Sequence, residues 1–390
     1  MNVILFHLMA YADLDFEATK EHETVWMKLP NKHYDPVKGH KLYNRYLDEM
    51  EYAETLGFDG VAVNEHHQTA YGLMPSPVVM AAALARRTQR VKIAILGSAL
   101  PLREHPMTVA EEYAMLDVIT GGRLIAGFVR GIGAEYHTFG LNPTISHERF
   151  HEAHDLIVQA WTQPGPTSFS GKHYNVDYVN LWPRPFQNPH PPIWVPSQGS
   201  KETIDWAAHP DHRYTYLQTF SPSKTVQKYL QSYRDTAEGF GYEAADSQLG
   251  WAVPVYVADT DAQAINDARE PFELFRNRLL KMPFEMLLPP GYSSRDSLKR
   301  MMAAKATLSQ SLTIEMAIDM GMIVCGSPAT VRQQLESHWH DMHFDNLLTM
   351  MHFGTLSEEL TRRNMELFAK EVLPGLQAMK RAASTSTAST

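Results

Sequence analysis

The stretch VKIAILGSALPLREHPMTVAEEYAMLDVITGGRLIAGFV, residues 91–129, holds two apolar runs around a helical pattern. VKIAILG (91–97) and RLIAGFV (123–129) are short, continuous and rich in β-branched residues, the signature of strands buried on both faces. Between them Val109 to Ile119 repeats its apolar residues at helical spacing and stops at Gly121-Gly122. A strand, a helix and a second strand in that order join two parallel strands, because a parallel pair needs a long crossover.

The same unit recurs on both sides. NVILFHL (2–8), FDGVAVN (58–64), PIWVPS (192–197), YTYLQTF (214–220), WAVPVYVA (251–258) and FDNLLTMM (344–351) read as strands. Helical patterns cover 41–56, 75–87, 146–161, 200–208, 222–239, 261–281, 328–339 and 357–373. Eight strands, each followed by a helix, with no clear Rossmann turn, favour a closed (β/α)₈ barrel of the TIM type. The runner-up is an open doubly wound sheet. Insertions are expected after strand 1 (about 10–38), after strand 4 (163–192, rich in proline) and after strand 7 (282–312, with Pro289-Pro290-Gly291), the last a candidate lid. One domain is expected over 1–380, and the polar end AASTSTAST suggests a disordered tail over 381–390.

Composition narrows the function. Of 390 residues, 44% are hydrophobic and 20% charged, which fits a large core and excludes general disorder. Asp+Glu outnumber Lys+Arg by 44 to 35, and without a basic block there is no electrostatic footprint for nucleic acid. No apolar run approaches the ~20 residues of a membrane-spanning helix. A single cysteine, Cys325, excludes an internal disulfide and a Cys-based zinc site. MNVILFHLMAYADLDF lacks a positive leader segment and reads as a buried strand, so the expected location is cytoplasmic.

In a (β/α)₈ barrel, reacting groups sit where strands end. Strand 2 ends in Asn64-Glu65-His66-His67. Adjacent strand residues point to opposite sides, so one histidine of the pair faces the barrel mouth, where an imidazole can shuttle a proton near neutral pH. Satisfied polar groups at the rim would read the same way. Arg130 follows strand 4 and precedes Gly131 and Gly133, a setting that suits a phosphate or carboxylate. Ser197-Gln198-Gly199-Ser200 ends strand 5 and opens a helix, whose free N–H groups could close with Arg130 on one phosphate. His147-Glu148-Arg149-Phe150-His151 matches the zincin H-E-x-x-H pattern, but the longer metzincin extension fails at His154, and 19 histidines make a chance match unsurprising.

Together these segments resemble the bacterial luciferase-like flavin monooxygenase family. The resemblance is carried by LGFDGVAVNEHHQTAYG (56–72), the run from 91 to 131, RFHEAHDLIVQAW (149–161), PPIWVPSQGSKETIDWAA (191–208), CGSPATVRQQL (325–335), FDNLLTM (344–350) and FAKEVLPGL (368–376). The H-E-x-x-H match then falls inside the family's R-F-x-E-A helix. The resemblance implies a single barrel that binds reduced FMN at its C-terminal face. It makes His66 the catalytic imidazole, with Glu65 and His67 beside it. Arg130 corresponds to the phosphate ligand, and Ser200 and Thr203 to the hydroxyls that complete the phosphate site. A non-prolyl cis peptide is implied at Leu96-Gly97 or Gly97-Ser98, against the flavin ring. Val129 stands where luciferase has a reactive cysteine, and Gln198 or Gly199 where it has a glutamate near the phosphate.

The implied activity is that of a two-component monooxygenase. A separate NAD(P)H:flavin reductase supplies FMNH₂, O₂ adds to give a C4a-(hydro)peroxyflavin, and a small apolar or aromatic substrate is oxygenated. Phe6, Trp26, Trp194 and Phe353 are expected as pocket walls. The alternatives are an F420-dependent hydride-transferring dehydrogenase and a non-catalytic flavin-binding paralogue. The helix carrying Glu111, Glu112 and Asp117 matches the family's dimer-forming region, so a homodimer is implied.

Overall fold

The computed structural model describes residues 1–292 and 311–386. Eight parallel strands close into a barrel: β1 (Asn2–Phe6), β2 (Gly60–Val63), β3 (Lys92–Ile95), β4 (Leu124–Val129), β5 (Ile193–Ser197), β6 (Thr215–Thr219), β7 (Leu249–Val257) and β8 (Asn346–Met350). Each pairs with its successor, and β8 returns to β1 with Asn346 opposite Asn2 and Thr349 opposite Leu5. The closed TIM barrel expected from the alternation is thus the observed architecture, and the open sheet is excluded.

Helices form the outer layer for legible reasons. α1 (Pro36–Thr55) starts with proline at its first position, and the Asp35 carboxylate accepts the N–H groups of Val37 and Lys38. α2 (Pro77–Arg87) follows β2, and α3 (Pro106–Thr120) ends on Gly121 at φ +64°. A short helix α4 (Gly133–Phe139) precedes α5 (Ser146–Thr162), which buries Phe150, Leu156, Ile157 and Trp161 against the barrel. The Arg123 guanidinium donates to the carbonyls of Ala85, Thr88 and Val91, fastening the start of β4 to the end of α2.

Two features were not in the sequence reading. Val324–Gly326 forms an additional short strand beside the far half of β7, outside the barrel. Ser98–Ala99 continues β3 and pairs with β4. The proline-rich excursion contains an antiparallel hairpin, Thr167–Ser170 with Asn175–Val179. Of the candidate lid, Phe284–Leu287 is a single helical turn, and residues 293–310 lie outside the described residues. The last helix runs to Ser386, and the rest of the polar tail lies outside them too. No helix among the described residues is long and apolar enough to cross a membrane.

Candidate active site

The C-terminal ends of the strands surround a cavity of about 1290 Å³, counted out to its open mouth. Its floor is backbone. The Leu96-Gly97 peptide bond is cis, one of the two bonds indicated by the sequence. A Cβ on Gly97 would lie 2.5 Å from the carbonyl carbon of Gly127, and one on Gly127 would lie 2.0 Å from the Ile95 oxygen. Only two glycines let β3 and β4 approach so closely here.

His66 enters from the end of β2. Its Nδ1 donates to Glu135 Oε1 at 2.9 Å, and Glu135 is almost fully buried. The other oxygen of Glu135 accepts the Ile132 N–H at 2.7 Å, tying the carboxylate to the first turn of α4. Trp26 and Tyr71 stack on each other with centroids 4.3 Å apart, and both meet the His66 ring edge-on. With the ring packed and Nδ1 committed, Nε2 is its free nitrogen. His67 points elsewhere, as strand alternation requires: its Nε2 donates to Glu65 Oε1 at 2.9 Å, and its ring packs edge-on against Phe139. Glu65, itself buried, also receives the Arg103 guanidinium, so its carboxylate is paired on both oxygens.

Arg130 follows β4. Its guanidinium lies over the Tyr292 ring, 4.2 Å from the centroid, and donates to the Tyr292 carbonyl at 3.0 Å. Tyr292 in turn donates from its hydroxyl to the Gly131 carbonyl at 2.5 Å. At the end of β5, Ser200 caps α6 (Lys201–Ala207): its Oγ accepts the Thr203 N–H at 3.2 Å and sits 2.6 Å from Thr203 Oγ1.

The cavity brings together Phe6, Glu65, His66, Leu96, Gly97, Val129, Arg130, Ser197, Gln198, Ser200 and Thr203. Other expected residues stand outside its lining. Ser98 is buried and bonded to the Tyr113 hydroxyl. Gly199 turns at φ +94° beneath the Tyr229 ring. Trp26 stands behind the lining and meets the His66 ring edge-on. Trp194 and Phe353 are not among the residues that line this cavity; Phe353 packs on Tyr256 and Phe272.

Several lining residues have no flavin or substrate role in the sequence reading. Asn64 presents a buried Oδ1 with no partner among the described residues. Glu135 had a readable signal, an acidic residue in the first turn of a helix that follows a glycine loop. His147 and His151, set aside with the zincin pattern, both face the cavity, with Nε2 atoms 3.2 Å apart. Glu148 leaves the site and binds Lys172 and His173. Among the described residues no group of three or more His, Cys, Asp or Glu could hold a metal ion.

A family model for luciferase-like monooxygenases matches residues 25–346. The chain belongs to that family. Among relatives of this luciferase-like monooxygenase, the 4-hydroxyprotoasukamycin monooxygenase of Streptomyces nodosus subsp. asukaensis is 26% identical over 85% of this chain and 86% of its own. The oxygenase component of a flavin-dependent trigonelline monooxygenase from Acinetobacter baylyi is 25% identical over 59% of this chain and 63% of its own. Two solved structures share the fold. The oxygenating constituent of 3,6-diketocamphane monooxygenase from Pseudomonas putida, a type II Baeyer–Villiger monooxygenase in complex with FMN, has a TM-score of 0.71 at 20% identity. It covers 96% of this chain and 98% of its own. An F420-dependent secondary alcohol dehydrogenase has a TM-score of 0.66 at 14% identity, covering 96% and 98%. The barrel alone therefore does not separate flavin from F420 chemistry within this family's fold.

Proposed function

We propose that the chain is the oxygenase component of a two-component system, using FMNH₂ and O₂ to oxygenate a small, largely apolar or aromatic molecule. The observation that carries this reading is one cavity lined by Arg130, Ser200 and Thr203 together with the Glu135-held His66 and the Leu96-Gly97 floor.

The donor set fits a flavin with a terminal phosphate. A guanidinium and two hydroxyls at a helix start suit the anion. The unpartnered Asn64 Oδ1 supplies an acceptor for a ring N–H, and Leu96 and Gly97 line the same cavity. When bound, reduced FMN supplies the electrons that activate O₂. The chain's part is to bind, dry and position. Glu135 accepts the Nδ1 proton, which fixes the His66 tautomer and leaves Nε2 to give or take a proton at the reacting oxygen. Phe6, Phe128, Phe150, Phe220 and the Trp26–Tyr71 stack keep water away. Leu287 and Leu288 of the insert line the same cavity and support an apolar substrate.

Delivery of reduced flavin requires an NAD(P)H:flavin reductase as partner. A homodimer is supported by α3, where Met115, Val118 and Ile119 are about half exposed at helical spacing. The deciding experiment follows O₂ uptake with FMN, NADH and a flavin reductase across ketones, aldehydes and aromatics, beside an anaerobic assay of F420 reduction by alcohols. Oxygenated product in the first assay supports the reading; F420 reduction alone refutes it.

A further inference from the structure

With the zinc pattern excluded among the described residues, the H-E-x-x-H histidines have no part in the chemistry above, yet they face the cavity that holds Arg130, Ser200 and Thr203. His147 and His151 lie one turn apart on α5 with ring centroids 4.3 Å apart. At 3.2 Å between Nε2 atoms, one ring donates its N–H to the other, and the accepting nitrogen carries a lone pair. A phosphate monoester accepts hydrogen bonds and is mostly dianionic at pH 7. It is repelled by that lone pair unless the nitrogen gains a proton, either from solvent or by a tautomer shift from Nδ1, and only the first route takes up a proton on binding.

We propose that His147 and His151 form a proton-linked clamp for the terminal phosphate of the flavin, binding of FMN being accompanied by protonation of this pair from solvent. The inference rests on the flavin reading above and adds the charge state that the site requires of its ligand.

The surroundings keep the empty pair neutral. His147 is exposed on its helix face, yet partial desolvation and Arg130 hold it below the ordinary imidazole range, against the opposite pull of Glu202 and Glu148. His151 is pushed down to about 3 by burial and by His147, His154 and His212, with Asp155 opposing. A dianion reverses the balance: it offsets Arg130 and stabilises imidazolium at both rings. Each ring then donates to the phosphate, and the contact between the rings gives way.

The test is calorimetric. FMN and riboflavin are each titrated into the protein at pH 7.0 with EDTA, in buffers of different ionisation enthalpy. Free FMN contributes little there, since its second phosphate pKa is near 6. The expected result is uptake of roughly half to one proton per FMN and none per riboflavin, with FMN affinity falling about three- to tenfold per pH unit above neutrality. His147→Asn/His151→Asn should bind riboflavin as before, while FMN binding loses both the uptake and the pH slope.

Tight FMN binding without proton uptake in the unaltered protein overturns the clamp and leaves the flavin reading standing. Uptake that persists in the double variant also overturns it, since the proton then goes to another group. Failure of both flavins to bind removes the flavin reading and the clamp together.

Discussion

Replacing Arg130 with glutamine tests the anion end of the cavity most directly. Glutamine keeps hydrogen-bonding capacity and loses the charge. A hydrogen bond to a charged partner contributes about 1.5–3 kcal/mol. In the free protein the guanidinium already lies over Tyr292 at 4.2 Å, a contact that contributes about 0.5–1 kcal/mol at a partly exposed site and is given up on binding. The difference, about 1–2 kcal/mol, corresponds to roughly five- to thirtyfold weaker FMN binding. Riboflavin has no phosphate, so its affinity should change less than about twofold, on the scale of an ordinary surface substitution. Titration followed by flavin fluorescence measures both constants, and the FMN effect should shrink as salt is raised. Equal weakening of FMN and riboflavin would refute a phosphate contact at Arg130.

Other perturbations address the rest of the molecule. His66→Asn should leave FMN affinity nearly intact and divert NADH-linked O₂ consumption from product to H₂O₂; an unchanged product-to-peroxide ratio removes His66 from the chemistry. Gly97→Ala drives a methyl group into the Gly127 backbone and should lower the thermal midpoint by several degrees and abolish flavin quenching, which a melt and a titration check. The folded His151 ring resists protonation down to about 3, whereas an unfolded one titrates near 6.5. The unfolded chain therefore binds more protons in that window, and stability falls as pH is lowered through it. Urea midpoints at pH 7.5 and 5.0 should differ less in His151→Asn than in the unaltered protein. Ile119→Lys places a charge on the half-exposed apolar face of α3 and should shift sedimentation from dimer to monomer without affecting the melt.

Much of the architecture was legible because a parallel barrel repeats one local unit: continuous apolar strands, helices with capping residues, and glycine stops. The strand-end rule then singled out His66 and Arg130, which the fold brings to one cavity. What escaped follows from tertiary contact. Glu135 matters through a 2.9 Å bond to a residue far away in the chain, and Tyr292 reaches Arg130 from the insert. The three-residue strand Val324–Gly326 is too short for periodicity to mark. Trp194 is buried and stands outside the lining; aromatic character alone does not tell a core side chain from a cavity wall. The two α5 histidines were set aside because the motif was judged only as a metal site.

The contact between Gly97 and Gly127 bears on how such an enzyme diversifies. The close approach of the two strands at these glycines offers no gradual variants, since even the smallest addition at either meets backbone. The rim has no such restriction: Phe220, Leu287 and Leu288 come from connecting segments that tolerate exchange. Descendants of this barrel are thus free to change what they accept while the surface beneath the reaction stays as it is.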